Sequence, residues 1–487
     1  MTAGPSGSAG SLAKNAVSQI GGRLLLSLGR LGAALMIVRL LGPERFGEYA
    51  LVLNFVVLFE WLADFGQTDI AVRDICQAPG RAGVTLGALG WLKAGHGLLL
   101  CLLLPAVLAA MAYPAPIVRA GAVGGLSVLF YAGVQVFRTR FKVAMRMERD
   151  VGAEVGSLVV MLPLTWWACR AGAGVDVLVG CYAASRLGFF GLMLALAQGP
   201  RAVPGRRASR ADVLALLREA APLGVAGLLV TSYDSLATVM LSKLAGLHEV
   251  AQYAAATRFV FPVIIIVQSL SSAFYPPLSA QWRASPAGFA ALQQAALDVS
   301  VLVGGGLFCG VFGGAGFLMG IMGPEIGQAA PVLRLMAVVV LARAVTTAMS
   351  PLIVVAGRQG TALWLTAASI VLQTGALLLL VPPYGITGAV VGYLAIELLL
   401  GVVPVSLFGQ HVAGVRLRWA VPVRLTGCAL AAVASCSALP THGTLAGGVL
   451  SGLLYLALAA GTGTVSVRKA GALVGELAAA RRAGAAA

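Results

Sequence analysis

The chain has 487 residues, of which 59% are hydrophobic and 11% are charged, and its mean hydropathy is +0.91. A soluble protein carries about 25% charged residues, so this composition excludes a soluble globular protein and indicates an integral membrane protein. The formal net charge of +16 does not indicate nucleic-acid binding. Lys and Arg alternate between rich and poor intervals, as they do on the cytoplasmic and external faces of a multi-pass membrane protein.

Apolar stretches of about 20 residues, the length that crosses about 30 Å of hydrocarbon, predict about fourteen transmembrane helices. The N-terminal segment is small and polar and lacks a processing site, so we expect a cytoplasmic N-terminus and a first helix that stays in the membrane. The basic segment 137–150 is predicted as a cytoplasmic loop. The N-terminal lobe, residues 1–198, is predicted to hold helices at about 15–40, 46–66, 84–111, 118–136, 151–169 and 176–196.

A Pro-, Gly- and Arg-rich segment, residues 199–219, is predicted as a basic cytoplasmic linker between two lobes. Residues 411–464 are predicted to form two further helices, and residues 465–487 a basic cytoplasmic tail. The C-terminal lobe, residues 220–410, is predicted to hold helices at about 220–241, 250–274, 291–319, 332–355, 361–381 and 389–408.

A helical hairpin in the first half of the chain recurs in weakened form in the second. Residues 27–56 align without gaps with residues 231–260, so that Gly42 falls on Gly246. Each copy has an apolar run, a short turn that breaks at the glycine, and a second apolar run. A repeat at a fixed offset predicts two pseudo-symmetric lobes that arose by duplication.

Ionised side chains inside the predicted helices are the candidate functional residues, because each costs at least about 2.5 to 3.5 kcal/mol to place near the bilayer centre. Basic groups outnumber acidic ones. Charges that only join helices would be paired one to one, so a basic surplus indicates a water-filled cavity for an anion such as phosphate, which arginine binds through two parallel hydrogen bonds. The alternative is that each arginine pairs helices or binds carbonyl groups. The predicted cavity residues are Arg23, Arg30, Lys93, Arg186, Arg258 and Arg343.

Three carboxylates inside the predicted helices, Glu60, Asp234 and Glu397, have two interpretations. They could bind a coupling proton or sodium ion, because a carboxylate in a medium of low dielectric constant is readily protonated. They could instead pair with arginines, the interpretation that we favour for Asp234, which falls opposite Arg30 in the repeat. Asp64, at the cytoplasmic end of the second helix, is predicted to be a solvated helix end.

No catalytic or metal site is predicted. The 7 cysteines and 4 histidines are scattered without the spacing of a metal or redox site, and the chain has no phosphate-binding loop. We therefore expect no enzymatic activity and no cofactor beyond coupling to a proton or sodium gradient.

Glycines and terminal basic residues give two further expectations. The glycines between Gly304 and Gly316 predict close helix packing, with a bending helix as the alternative. Arg39, Lys243 and Arg334 lie near the predicted external helix ends and are expected to extend their charges to the membrane surface.

Three segments in the same order resemble a known family. They are VRLLGPERFGEYALVLNFVVLFEWLADFG (38–66), GPEIGQAAPVLRLMA (323–337) and VPPYGITGAVVGYLAIELLLG (381–401). They resemble the polysaccharide and O-antigen flippases of the multidrug/oligosaccharidyl-lipid/polysaccharide (MOP) exporter superfamily. The resemblance implies an all-α integral membrane protein with two six-helix lobes around a central basic cavity and two additional C-terminal helices. It assigns no binding residue, because cavity residues vary within such families.

The resemblance also implies a flippase that moves an undecaprenyl-diphosphate-linked oligosaccharide from the inner to the outer leaflet of the bacterial cytoplasmic membrane by alternating access. The expected partners are this substrate and membrane lipids, with polysaccharide polymerases and glycosyltransferases as candidate protein partners. We expect a monomer with both termini in the cytoplasm that binds no nucleic acid. The alternatives are a flippase for lipid II or another lipid-linked sugar, a drug antiporter of the same superfamily, and a membrane glycosyltransferase or polymerase.

Overall fold

A chain this apolar satisfies its backbone hydrogen-bonding groups within helices, because hydrocarbon offers them no partner. The residues described by the structure accordingly form helices and no strand. They group into two units, unit 1 within residues 1–238 and unit 2 within residues 239–487. The computed structural model describes residues 9–197, 208–403, 407 and 417–463. The predicted tail, residues 465–487, and most of the predicted linker before residue 208 lie outside the described residues.

Unit 1 is built around its fifth helix. Its helices are α1 (Ala9–Leu41), α2 (Pro43–Asp64), α3 (Gln67–Gln77), α4 (Ala82–Ala110), α5 (Ala115–Val143), α6 (Met147–Gly156), α7 (Leu158–Arg170), α8 (Val175–Ala197) and most of α9 (Arg210–Leu244). Helix α5 packs against α2, α3, α4, α6 and α8. Small residues on α5 permit this close packing. At Gly125, for example, a Cβ atom would lie only 2.5 Å from the Cys101 carbonyl oxygen of α4, so a larger residue would not fit.

Unit 2 is built in a similar way around α11. Beyond the end of α9, its helices are α10 (Leu247–Ala284), α11 (Pro286–Gly313), α12 (Ala315–Met322), α13 (Pro324–Gly327), α14 (Ala330–Val355), α15 (Gln359–Ile396), α16 (Ala420–Ser437) and α17 (Leu445–Gly461). A π-helical segment, Glu397–Val402, continues α15. Helix α11 packs against α10, α14, α16 and α17.

The hairpin predicted twice from the sequence occurs in both places. Gly42 has a φ of 88° and lies directly before Pro43 at the start of α2. Gly246 has a φ of 101° directly before α10. Positive φ favours glycine, and proline is suited to the first turn of a helix, where its missing N–H has no partner to lose. The same local chemistry therefore ends the first helix of each hairpin.

The predicted number of membrane crossings agrees with the described residues. In them, twelve helical segments are long and apolar enough to cross a membrane. One of these, Gly360–Val402, contains two arms separated by Gly385, whose φ of 54° breaks α15 at the predicted turn. Counting the arms separately and adding the apolar 17-residue helix α17 gives fourteen crossings.

The surface of these helices is that of a multi-pass membrane protein. Large apolar side chains are widely exposed, including Trp91 at 71%, Trp364 at 77% and Leu379 at 73%. Exposure of this kind to water would be costly, whereas hydrocarbon solvates such side chains well.

Two segments that the sequence predicts as loops are helical. The basic segment 137–150 is the last part of α5 and the start of α6, with a break at residues 144–146. The described part of the predicted linker, from Arg210 onwards, is the start of α9. Predictions from charge density therefore ended one helix too early and began another too late. Some of the charged side chains in these segments have partners inside the helix bundle, so they do not mark loops.

The glycines of α11 pack against other helices of unit 2. A Cβ atom at Gly313 would lie 2.5 Å from the Ser451 hydroxyl oxygen and 2.8 Å from the Gly447 carbonyl oxygen, both of α17. At Gly305 it would lie 2.5 Å from the Tyr455 hydroxyl oxygen, which donates a hydrogen bond of 3.0 Å to the Leu302 carbonyl. These contacts support the packing interpretation of the glycine-rich helix.

We expect Gly313→Ala to destabilise the protein by about 1 to 3 kcal/mol, because the added methyl group meets backbone atoms of α17 that cannot move freely. Gly310→Ala is the matched control on the same helix, since no heavy atom lies within 4 Å of its added Cβ atom. Thermal unfolding of the detergent-solubilised protein, followed by tryptophan fluorescence, measures the difference. Equal unfolding temperatures for the two variants would contradict the packing argument.

Candidate functional site

Arg186, at the middle of α8, is buried and ion-paired with Glu60 of α2. Its Nε and Nη2 atoms donate hydrogen bonds of 2.9 Å and 2.8 Å to the two carboxylate oxygens of Glu60. Its guanidinium carbon lies 4.6 Å from the ring centroid of Tyr131 and 5.0 Å from that of Tyr182. The Tyr182 hydroxyl donates to the same carboxylate at 3.2 Å. Stacked rings and a two-point ion pair hold this cation in one position.

Arg138, near the end of α5, is held in a comparable way. Its Nε donates to both carboxylate oxygens of Asp150 at 3.0 Å and 2.9 Å, and its Nη1 donates to the Tyr131 hydroxyl at 3.0 Å. The side chains of Arg138 and Asp150 are 14% and 6% exposed. Tyr131 therefore contacts two arginines, one through its ring and one through its hydroxyl group.

Glu154 of α6 joins these pairs to a third arginine. Its carboxylate lies 3.3 Å from Arg138 Nη2, 3.5 Å from Arg186 Nη1 and 3.8 Å from Arg30 Nη2. We call the whole set the arginine cluster. Its members are Arg30, Arg138, Arg186, Glu60, Asp150, Glu154, Tyr131 and Tyr182.

Helical spacing positions the members of the arginine cluster. Tyr131 and Arg138 are seven residues apart on α5, and Tyr182 and Arg186 are four apart on α8, so each pair lies on one helix face. Asp150 and Glu154 are likewise four apart on α6. The packing of α5 against α6 and α8, and of α1 against α6, brings these faces together.

Arg30 differs from the other two arginines in its accessibility. Its side chain is 40% exposed, against 6% for Arg186. Its distance to Glu154 is also the longest in the arginine cluster. Arg23, two turns earlier on α1, is exposed. Arg30 is therefore the cation of the arginine cluster that an anion can reach.

Lys93 of α4 lies in a separate polar group. It is 1% exposed, and its Nζ donates to Asp64 Oδ1 at 2.6 Å and to the Ala63 and Asp64 carbonyls at 3.1 Å each. Asp64 is not the solvated helix end that the sequence predicts, because its side chain is 19% exposed and paired with Lys93. Lys93 thus neutralises the carboxylate and the last carbonyl groups of α2, a structural role.

Unit 2 contains a smaller cluster of the same residue types. Arg343 Nε of α14 lies 3.2 Å from Glu397 Oε2, and its Nη2 donates to the Tyr393 hydroxyl. The Thr346 hydroxyl donates to Glu397 at 2.9 Å. Glu397 begins the π-helical segment, a feature that often accompanies functional sites. The pairs Tyr182/Arg186 of α8 and Tyr393/Glu397 each lie four residues apart.

The structure therefore separates the predicted site residues into groups. Arg30, Arg186 and Glu60 belong to the arginine cluster, Lys93 pairs with Asp64, and Arg343 pairs with Glu397. Asp234 is half-buried on α9, and Arg258 is half-buried on α10. Within the described residues, no group of three His, Cys, Asp or Glu side chains could hold a metal ion.

The arginine cluster by itself has no basic surplus, since it contains three arginines and three carboxylates. Arg138 and Asp150 lie in the basic segment 137–150, which the sequence predicts as a loop, whereas Glu154 lies in the predicted helix 151–169 and is not among the predicted site residues. The seven-residue spacing of Tyr131 and Arg138 and the four-residue spacing of Asp150 and Glu154 were the signals available in the sequence, but such spacings have meaning only once the residues are placed on helices.

We expect Glu60→Gln to destabilise the protein by about 3 to 5 kcal/mol, because it removes the carboxylate that binds the buried guanidinium of Arg186 at two points and leaves only Glu154, at 3.5 Å. Glu48→Gln is the control. It removes an ion pair of 2.9 Å with Arg45, whose side chain is 44% exposed, and should cost less than about 1 kcal/mol. Thermal unfolding in detergent compares the variants, and the double variant Glu60→Gln/Arg186→Met should recover part of the loss. A similar small effect at both glutamates would show that the buried pair is not structural.

Comparisons with known proteins agree with this architecture. Several solved structures share the fold, among them the following three. The lipid II flippase MurJ, in an inward closed conformation, has a TM-score of 0.74 and 10% sequence identity, covering 92% of this chain and 98% of its own. A multidrug resistance MATE family transporter of the MOP superfamily, in an inward-facing conformation, has a TM-score of 0.66 and 15% identity, covering 80% and 94%. A MOP superfamily transporter from Pyrococcus furiosus Vc1 has a TM-score of 0.58 and 16% identity, covering 83% and 96%.

At these identities the structures show the fold alone, which is that of the MOP superfamily transporters. No curated protein sequence matches the chain significantly. The family described as "Polysaccharide biosynthesis protein" matches residues 12–282, more than half of the chain. The chain belongs to this polysaccharide biosynthesis protein family.

Proposed function

We propose that the protein is a flippase for an undecaprenyl-diphosphate-linked oligosaccharide, the repeat unit of a polysaccharide or O-antigen. It would carry this substrate from the inner to the outer leaflet of the bacterial cytoplasmic membrane by alternating access. Membership of the polysaccharide biosynthesis family supports the sugar class. The shared fold with MurJ, a lipid II flippase, supports a lipid-linked substrate.

Arg30 is the observation that carries the proposal. It is a half-exposed arginine inside a helical segment that is long and apolar enough to cross a membrane, Gly21–Leu41. A diphosphate has many acceptor oxygens and suits the two parallel donors of a guanidinium group. Arg30 is thus the residue that we propose contacts the headgroup first.

The contacts of Glu154 explain how Arg30 can exchange its partner. When a phosphate takes Arg30, Glu154 keeps Arg138 at 3.3 Å and Arg186 at 3.5 Å. Its charge therefore stays compensated. Leaving a buried charge unpaired is strongly destabilising, and the arginine cluster avoids that state both with and without the substrate. Arg138 and Arg186 are positioning residues in this proposal, whereas Arg30 contacts the substrate.

No covalent chemistry is required of the protein. Transfer of a charged, sugar-bearing headgroup through hydrocarbon is slow because the charge loses its hydration. An accessible cation inside a helix bundle replaces part of that hydration, and the lipid tail can remain in the bilayer. The reaction is then a conformational exchange with no bond made or broken.

Ion coupling is a separate part of the proposal. Glu60 is bound at two points by Arg186 and also by Tyr182, and Glu397 lies 3.2 Å from Arg343. These contacts favour charge pairing for both glutamates over binding of a proton or sodium ion. For Asp234 of α9 we likewise favour pairing with an arginine, with binding of a coupling ion as the alternative.

The charges of the arginine cluster also bear on the alternatives. A drug antiporter for cations would need a carboxylate accessible to its substrate, whereas the accessible group of this cluster is a guanidinium. A lipid II flippase differs only in the sugar and peptide part of its headgroup, so the cluster fits it equally well. For a glycosyltransferase or polymerase, no observation on the described residues supplies a catalytic group.

We propose a cytoplasmic location for both termini and a functional monomer. Polysaccharide polymerases and glycosyltransferases are the proposed protein partners, since they would produce and consume a lipid-linked oligosaccharide.

The first experiment measures transfer of a lipid-diphosphate oligosaccharide between the leaflets of liposomes that contain the purified protein. We expect Arg30→Gln to reduce the transfer rate at least tenfold, because it removes the accessible cation, and Arg30→Lys to retain part of it. Arg45→Gln is the matched control, because it removes an arginine from an exposed ion pair outside the arginine cluster.

Parallel liposomes carry lipid II or enclose a cationic drug. Preferred transfer of lipid II would identify the protein as a lipid II flippase. Drug transport without lipid transfer would identify it as a drug antiporter. Equal transfer by wild type, Arg30→Gln and Arg45→Gln would contradict the role of Arg30. Absence of transfer by folded wild type with every headgroup would contradict the flippase itself.

A further inference from the structure

The turn between α16 and α17, residues 438–444, is fixed to the junction of α11 and α12. The Gly443 amide donates to the Gly313 carbonyl at 3.0 Å, and the Gly443 carbonyl accepts from the Phe317 amide at 2.5 Å. Gly443 has a φ of 84°, which favours glycine. These bonds give the neighbouring side chains of the turn a defined position.

The side chain of Arg334, which lies one helical turn after the start of α14, extends toward the connection 438–444. Its Nη2 atom lies 3.6 Å from the position that a Cβ atom would take at Gly443. A larger residue at this position would crowd the guanidinium group. The glycine therefore allows the arginine to approach the turn that contains Thr441 and His442.

Three polar atoms at this place are shielded from solvent and have no hydrogen-bond partner among the described residues. They are Arg334 Nε, Thr441 Oγ1 and His442 Nδ1. Leaving such a group unsatisfied is destabilising, and most buried polar groups in proteins are paired. Three unsatisfied atoms from two separate parts of the chain indicate that something else binds them.

The chemistry of these groups favours an anion. A guanidinium group only donates hydrogen bonds, and hydroxyl and imidazole groups can each donate one. No carboxylate pairs with Arg334 within the described part of unit 2. Burial, and after it the positive charge of Arg334, lower the pKa of His442, so the arginine is close enough to act on this imidazole. Phosphate, with several acceptor oxygens, matches such a set of donors.

The location favours a lipid as the source of the phosphate. Arg334 lies in the second turn of the apolar segment Ala330–Ile353, where a long basic side chain extends toward the membrane surface. Next to the turn, Leu439 and Leu445 are 42% and 57% exposed, as expected for side chains in contact with hydrocarbon. The three polar atoms therefore lie where headgroup and acyl chains meet.

We infer that Arg334, Thr441 and His442 form a binding site for the phosphate group of a membrane lipid headgroup. The site lies at one end of unit 2 and shares no residue with the arginine cluster. It does not depend on the proposed transport activity, since a lipid could bind there in a protein of any function.

Lipid binding to the purified full-length protein tests this site. Native mass spectrometry in detergent measures the dissociation constant of short-chain phosphatidylglycerol, with the matching diacylglycerol, which lacks the phosphate, as the neutral probe. We expect phosphatidylglycerol to bind wild type at least tenfold more tightly than the diacylglycerol. Arg334→Gln should lose most of this difference, and Arg45→Gln should keep it.

A second variant and a second measurement separate binding from folding. Thr441→Val/His442→Phe removes the other two polar groups and should weaken phosphatidylglycerol binding in the same direction. In lipid-free detergent, Arg334→Gln should unfold at the wild-type temperature or above, because the guanidinium has no protein partner there to lose. A lower unfolding temperature with unchanged lipid binding would instead show a structural arginine and overturn the site.

Inorganic phosphate identifies the source of the ligand. It is compared with chloride at equal ionic strength by its effect on the unfolding temperature of wild type and Arg334→Gln. A weak effect beside tight phosphatidylglycerol binding supports a lipid site. Phosphate binding as tight as that of the lipid would overturn the lipid assignment, and equal binding of both glycerolipids by all variants would overturn the site.

Discussion

Burial of charge in a medium of low dielectric constant is the constraint on which unit 1 depends. An ionised side chain that leaves water needs a partner of opposite charge with good geometry. Arg186 and Glu60 satisfy this condition with two parallel hydrogen bonds, and Tyr131 and Tyr182 fill the faces of the guanidinium group. Because the partners lie on different helices, the same contacts fix how α2, α5 and α8 pack. A change that breaks these ion pairs is therefore also expected to disturb the packing of the three helices.

The same constraint explains why the arginines of the arginine cluster differ in exposure. Arginines that hold helices together are enclosed, whereas Arg30 keeps two fifths of its side chain exposed. Unit 2 follows the same principle with fewer groups, since Arg343, Tyr393 and Glu397 form an arginine, tyrosine and glutamate cluster of their own. In both units the tyrosine and its charged neighbour are four residues apart, so the helical period produces similar clusters in two different helix pairs.

The sequence predicts the fold well for a physical reason. Long apolar segments form helices in hydrocarbon because their backbone groups have no other hydrogen-bond partners there. The breaks at Gly42, Gly246 and Gly385 follow from the positive φ angles that glycine adopts readily. The site is less predictable, because pairing depends on which helix faces meet. Arg30 and Arg186 could be selected from the sequence. Asp150 could not, since it ends a dense run of charges that is predicted as a loop, and Glu154, inside a predicted helix, gives no sign in the sequence of the three arginines that it meets. The convergence of Arg334 with His442 is a tertiary contact between distant parts of the chain and has no signal in the sequence.

The shared carboxylate of Glu154 has a consequence for how this protein can evolve. Replacement of Arg186 removes the arginine partner of buried Glu60, and replacement of Arg138 removes that of buried Asp150, so both changes are expected to destabilise the fold. Replacement of Arg30 removes only the longest of the three contacts of Glu154, and its position is open to solvent or ligand. Residue 30 can therefore vary across generations while the helix bundle persists. In a membrane protein built in this way, one partly exposed side chain can change while the buried framework of ion pairs stays the same.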